Sequence, residues 1–108
     1  MAEPLQGEIW WAQLPHPVGH RPVIVLTRNT AIARLANVTV APLTRSILDI
    51  ESQAIISPED GVPELSAASL DNILTIPKHR LEKRITRVSD ETMLDVWRAL
   101  RAAFAMPS

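Results

Sequence analysis

The sequence predicts an α+β fold: a small, strongly bent or barrel-like antiparallel sheet with a C-terminal helix against it. Three observations predict it. Short apolar runs with period-two alternation or β-branched residues recur from Glu8 onward, punctuated by proline and glycine. The clearest helical period lies at the C-terminal end, from Met93 to Phe104. Strands and helices never alternate as βαβ units would require.

Each element follows from its residues. Glu8 to Leu14 ("EIWWAQL") reads as a first strand, with Ile9 and Trp11 on one face and Trp10, Ala12 and Leu14 on the other. "PHPVGH" is a loop stiffened by Pro15 and Pro17 and loosened by Gly19. Pro22 to Thr27 reads as the second strand, since a proline at the first residue costs no ladder bond. Arg21 stands before it, either as a solvated loop residue or as a fixed cation aimed at an anion. Asn37 to Leu43 ("NVTVAPL") alternates, with Val38 and Val40 inward and Thr39 outward, and Pro42 is expected to interrupt the ladder. Ser52 to Ile56 is a short strand ended by the turn "SPEDG". Ala67 to Ile76 ("AASLDNILTI") reads as one strand that Pro77 stops; "KHRL" then makes a helical or 3₁₀ turn, and Glu82 to Val88 is the last strand. Ser89 is the expected N-cap of the helix, with Asp90 and Glu91 suiting its positive end. Met93, Val96, Trp97, Leu100 and Phe104 form its apolar stripe, so Trp97 and Phe104 are expected to pack in the core.

Composition bounds the function. At 108 residues the chain is expected to be one domain over 1–108, and 46% apolar against 21% charged residues places it with globular rather than disordered chains. With no cysteine, disulfide frameworks and thiolate metal sites are excluded. No apolar run approaches the ~20 residues of a membrane span, and "MAEPLQGE" has neither the basic nor the apolar region of a secretory signal. A soluble intracellular, cytoplasmic protein is therefore expected.

The net charge of −1 hides a segregated distribution. Lys78, Arg80, Lys83, Arg84 and Arg87 stand close together against Glu82 alone, and Arg21, Arg28, Arg34 and Arg45 lie in or beside earlier loops. Acids gather elsewhere, at Asp49, Glu51, Glu59, Asp60 and Glu64 and again at Asp90, Glu91 and Asp95. Such a chain can present a basic face to a polyanion, although "PKHRLEKR" alone also reads as a solvated turn and an exposed strand face.

No glycine-rich phosphate loop, H-E-x-x-H or G-x-S-x-G is present. His16 and His20 are spaced i, i+4, but in a proline-broken loop that denies them helical metal-ligand geometry. What remains is Arg21 near the second strand, Thr44 and Arg45 after the third, and the His16/His20 loop. If the sheet closes as a barrel, Arg21 and Thr44 come together at one rim.

The blocks "GEIWWAQL", "GHRPVIVLT", "VAPLTRS", "SPEDGVP", "LDNILTIPKHRL" and "RITRVSDETMLDVWRAL" occur in this order. Together, from Gly7 to Phe104, they resemble the MazF/PemK (Kid) family of toxin endoribonucleases from type II toxin–antitoxin modules. The resemblance implies an SH3-like, CcdB/PemK-type barrel with a C-terminal helix. It also implies a homodimer and sequence-specific cleavage of single-stranded RNA (mRNA, tRNA or rRNA) with no metal or other cofactor. The substrate's 2′-hydroxyl attacks the adjacent phosphate, leaving a cyclic phosphate and a 5′-hydroxyl. A cognate antitoxin with an acidic, partly disordered tail is the implied partner, competing with RNA for one electrostatic site.

The family's R-P arginine falls on Arg21 and its threonine or serine on Thr44. A guanidinium offers phosphate a planar fork of donors, and a hydroxyl adds one more. On the same reading His16, Arg28, Arg45, Asn72, Lys78 and Arg80 are candidate RNA contacts. Two departures matter. Many members carry a glutamate shortly before the R-P arginine, whereas "PHPVGH" holds no acid; His20, or His16, is the available substitute as proton acceptor, since imidazole titrates near working pH. Many relatives also read D-Q-I-R-T where this chain has Asp71-Asn72-Ile73-Leu74-Thr75, so a charge is lost at Leu74. The remaining alternatives are a CcdB-like protein-binding toxin, disfavoured because the tail is "FAMPS" and not Trp-Gly-Ile, and an inactive SH3-like RNA-binding module.

Overall fold

A computed structural model of the chain describes residues 3–107; residues 1 and 2, part of the stretch read for a targeting signal, and residue 108 lie outside the described residues. The apolar runs become seven strands: β1 (Glu8–Gln13), β2 (His20–Val25), β3 (Asn37–Thr44), β4 (Gln53–Ile56), β5 (Ser66–Ser69), β6 (Leu74–Pro77) and β7 (Leu81–Arg87). Two α-helices accompany them, α1 (Asn29–Ile32) and α2 (Asp90–Phe104), with 3₁₀ turns at Pro58–Asp60, Leu70–Asn72 and Lys78–Arg80. The expected turn at "KHRL" is the last of these.

All pairings are antiparallel, in the order β4-β5-β3-β2-β1-β7, with β6 also on β3. The α+β expectation holds. The sheet bends but does not close, because its terminal strands β4 and β7 do not pair. Bending leaves both faces of the central strands buried. Ile9 and Ile24 enter one apolar cluster with Ile56, Leu70 and Val96 of α2, while Ala12, Val23 and Val25 enter another with Ile32, Val40 and Ile76. Successive residues of β2 therefore feed opposite cores, which is why that strand is a continuous apolar run rather than an alternating one.

Several expectations need correction, and β3 explains most of them. Arg21 lies inside β2, because the hairpin extends to the pairs Ala12↔Arg21 and Gln13↔His20. Pro42 does not interrupt its strand; it pairs with Val23 inside β3. Thr39 directs its amide and carbonyl toward the β2 side, to Thr27 and Leu26. By alternation Pro42 faces the outer edge, between the last β6 pairing at Val40 and the first β5 pairing at Leu43. Among the described residues no strand pairs there, so the missing N–H costs no ladder bond.

The same gap splits the expected Ala67–Ile76 strand into β5 and β6. Opposite Leu43 and Val40, three residues apart, stand Ala68 and Leu74, six apart. The excess is taken up by the turn Leu70–Asn72, which sends Leu70 into the core and is tied by Asn72 Nδ2 donating to Ser69 Oγ at 2.7 Å. The turn α1 was unexpected; its Ala31 and Ile32 are buried.

Helix α2 starts as its residues require, with Ser89 Oγ accepting from the Thr92 amide at 3.1 Å. Val96 and Ala99 are buried, and Met93, Trp97 and Leu100 pack against the core. Phe104 does not: it is 59% exposed, while Ala103 beside it still packs against the core. The apolar stripe is wider than the face that the core covers there.

One buried charge ties the sheet to the N-terminal segment. Glu8 is 6% exposed and accepts from the Leu5 amide (2.8 Å), Trp10 Nε1 (3.1 Å) and Arg84 Nε (2.7 Å). Burial pushes its carboxyl upward, but the Arg84, Leu5 and Trp10 donors outweigh it and hold the group below the usual glutamate value. The carboxylate's contribution is complete above the unfolded value of about 4.3 and drains as the pH falls through the folded value. Glu8→Ala leaves an indole and an amide without their partner, so urea melts at neutral pH should show a loss of about 2 kcal/mol. That deficit should shrink when the melts are repeated at progressively lower pH.

Candidate functional site

The site forms where β1 ends, β2 begins and β3 ends. The register Ala12↔Arg21 sets Arg21 beside the C-terminal end of β1, and β3 carries Leu43 and Thr44 past its other side. Arg21 Nη1 donates to the Leu43 carbonyl at 3.2 Å, which steers the guanidinium along the rim toward Thr44. Its Nε is buried with no partner, an unpaired donor of a kind rarely left in a folded chain. Thr44 Oγ1 accepts from the Ser46 amide at 3.1 Å. That bond occupies a lone pair and leaves the hydroxyl proton free to donate. Thr44 is therefore a turn cap that still has a donor to spend.

Two hollows open on either side of this pair. One, of about 650 Å³, is lined by Trp11, His20, Arg21, Thr44, Arg45 and Glu64, among others. The other, of about 500 Å³, is lined by Leu14, Pro17, Val18, Arg21, Thr44 and Asn72, among others. Arg21, Thr44 and Ser46 belong to both walls. An anion at the shared rim would meet a planar cation and a free hydroxyl, with apolar and amide surface to each side.

His20 belongs to the first hollow. Its ring lies flat on Trp11, with centroids 5.0 Å apart and planes 5° from parallel. Its Nε2 lies 2.6 Å from Glu82 Oε1 of β7. Arg45 extends from the same wall and donates to Glu64 at 2.7 Å in an exposed pair.

The other candidates are dispersed. Asn72 lines the second hollow. His16 is exposed in the β1–β2 loop. Arg28 precedes α1 at the far end of β2. Lys78 stands by the start of β3, where its Nζ donates to the Glu3 carboxylate (2.9 Å) and the Ile32 carbonyl (2.9 Å). Arg80 is exposed in the Lys78–Arg80 turn and lines neither hollow. Arg28 and Lys78 thus lie at the opposite end of the sheet from Arg21. Among the described residues, no group of three or more His, Asp or Glu gathers as a metal site would need.

Sequence reasoning missed Trp11, Glu82, Ser46 and Glu64. Trp11 carried a signal, since period two set it apart from Trp10. Glu82 carried none, being 62 residues from His20.

A protein-family model described as "PemK-like, MazF-like toxin of type II toxin-antitoxin system" matches residues 5–104. The chain is 37% identical over 103 residues to a protein of Mycobacterium tuberculosis named "Probable endoribonuclease MazF5", with 94% of each covered. Among solved structures it resembles "Mycobacterium tuberculosis toxin MazF-mt6" at TM-score 0.86 and 31% identity, covering 94% of this chain and 99% of that one. It also resembles "Endoribonuclease in complex with its cognate antitoxin from Mycobacterial species" at TM-score 0.88 and 26% identity, covering 97% and 98%.

Proposed function

This chain belongs to the PemK-like, MazF-like family of type II toxin–antitoxin toxins and is an endoribonuclease, and from that premise we propose that it cuts single-stranded RNA at the Arg21–Thr44 rim by attack of the substrate's own 2′-hydroxyl. The observation that carries this reading is the shared rim itself. A guanidinium and a free hydroxyl stand between two hollows, where a scissile phosphate can sit with a base to each side.

Charge builds on the non-bridging oxygens as phosphorus becomes five-coordinate. Arg21 meets that charge with a fixed fork and Thr44 with one further hydrogen bond, both in place before reaction. Arg21 Nη1 is tied to the Leu43 carbonyl, which leaves the other terminal guanidinium N–H groups for a phosphate at the rim. His20 accepts the 2′-hydroxyl proton, filling the role left open by the acid-free "PHPVGH" loop. The Asn72 side of the rim is where base identity is read, with apolar walls for stacking and an amide for hydrogen bonding.

The working unit is the 1–108 domain, paired as a homodimer in the cytoplasm. It is held inactive by an antitoxin whose acidic, partly disordered tail covers the first hollow. RNA and that tail compete because both bring negative charge to Arg21 and Arg45. Released, the enzyme cuts RNA and stops translation and growth.

The test is cleavage of end-labelled single-stranded RNA in excess EDTA. Fragments should carry 5′-hydroxyl and cyclic-phosphate ends, and Thr44→Ala should slow the cut about 100-fold, the size of one lost transition-state donor. A wild-type chain that leaves the RNA whole, or that cuts only when a divalent ion is restored, sinks the proposal.

A further inference from the structure

We propose that Glu82 is a positioning residue that acts through His20, holding the imidazole as the Nε2–H tautomer so that Nδ1 carries the lone pair that takes the 2′-hydroxyl proton. The inference rests on the ribonuclease reading above and adds to it a residue that no local motif contains.

The geometry constrains His20 twice. β1 lies between β2 and β7, so His20 and Glu82 meet by reaching across it. Trp11, on that intervening strand, is the floor over which they meet. Stacking on Trp11 at 5.0 Å and 5° fixes the plane of the imidazole. The 2.6 Å contact from Nε2 to the Glu82 carboxylate fixes its rotation within that plane. A carboxylate can only accept, so beside Glu82 the neutral ring is favoured with its proton on Nε2 and its lone pair on Nδ1. Trp11 pairs with Pro22 of β2 and Lys83 of β7, and Glu82 falls at the bulge between that pair and Ala12↔Leu81, where the regular pleat of β7 is interrupted.

The other charges nearby do not compete for the ring. Arg21 is engaged by the Leu43 carbonyl, and across the hollow Arg45 donates to Glu64 and not to the ring. Lys83 flanks Glu82 on β7. At 51% exposure on each side, the His20–Glu82 contact adds little to stability, so its effect belongs in the chemistry.

The step balances. The 2′-O–H bond breaks and its proton moves to Nδ1, while the 2′-oxygen bonds to phosphorus. The P–O5′ bond then breaks, and the 5′-oxygen takes a proton from water. His20 finally returns its own proton to water. Throughout, Glu82 faces the Nε2 side of the ring.

The experiment is a single-turnover cycle over wild type, Glu82→Ala, His20→Gln and the double variant, with Glu82→Asp alongside and the His20 ring followed by ¹⁵N NMR. Expected are a rate about 10- to 100-fold lower in Glu82→Ala, no tighter KM, and partial recovery in Glu82→Asp. The Glu82 change should cost nothing further once His20 is Gln, and the ring should lose its Nε2–H preference in Glu82→Ala. A plain surface carboxylate predicts the reverse, since removing a negative charge beside a polyanion tightens binding at an unchanged rate. Additive losses, an unchanged rate, or an unchanged tautomer overturn the proposal. If Arg21→Ala abolishes cleavage while Glu82→Ala matches wild type, only the Glu82 role falls; a wild-type chain that cuts no RNA overturns both.

Discussion

Arg21→Ala is expected to lower the single-turnover rate of RNA cleavage about 1,000-fold, the scale of losing a cation that meets transition-state charge. The protein itself should melt within a few degrees of wild type. Arg21 is only half-buried, and among the described residues its sole side-chain hydrogen bond runs to the Leu43 carbonyl at 3.2 Å, at an edge where solvent can replace it. The truncation also removes the one buried side-chain nitrogen left without a partner among the described residues, so it deletes a cost as well as a bond. Arg21→Lys tests the geometry. A lysine keeps the charge but offers no planar fork and cannot hold the Leu43 carbonyl and a phosphate oxygen in the same fixed relation. It should therefore recover a small part of the rate. A loss under 10-fold in Arg21→Ala would move the reacting phosphate away from this rim, and full rescue by lysine would reduce Arg21 to a non-directional charge.

How much of this was legible in the sequence depends on what each residue answers to. Features set by near neighbours read directly. Ser89 and Thr92 lie one helical turn apart, so the cap of α2 was visible, and Val23 to Leu26 needed only their own apolar character to declare a buried strand. Features set by a distant strand did not. Whether Pro42 breaks β3 depends on which partner lies along its outer edge, and no local signal tells where β6 gives way to β5. Phe104 had the right period but is exposed while Ala103 beside it packs, and the width of the covered helix face is set by the sheet, which the helix sequence does not record. The site divides the same way. Arg21 and Thr44 stood out through short motifs, and strand register brings them to one rim. The partner of His20 is a glutamate on a strand two places across the sheet, and only the fold joins them. Lys78 shows the converse: basic in sequence, it is engaged by Glu3 and the Ile32 carbonyl, at the other end of β3.

Gly61 should be the position where the smallest substitution does the most damage to the fold. It follows the Pro58–Asp60 turn at φ +100°, and its amide donates to the Pro58 carbonyl at 2.9 Å. An alanine there meets two separate costs. The left-handed backbone disfavours a Cβ by about 1–2 kcal/mol. That Cβ would also stand 2.4 Å from Thr86 Oγ1 and 2.8 Å from Thr86 Cβ, on a strand that cannot retreat without disturbing the β1–β7 pairing. The Thr86 hydroxyl donates to the Asp60 carbonyl at 2.8 Å, so moving it also breaks the bond that pins the turn to β7. Together these should cost about 3 kcal/mol, a drop of more than 10 °C in melting temperature for a domain of this size. Gly19→Ala is the control. It shares the positive φ, at +72°, but a Cβ there meets nothing within 4 Å, so backbone strain acts alone and the loss should stay near 1 kcal/mol. Equal losses at the two glycines would show that β7 gives way freely. A larger loss at Gly61 should reach the chemistry too, because Val62, Pro63 and Glu64 continue from it into the wall of the first hollow. Displacing that wall separates Glu64 from Arg45, so Gly61→Ala assayed well below its melting temperature should bind RNA with altered affinity, whereas Gly19→Ala should not.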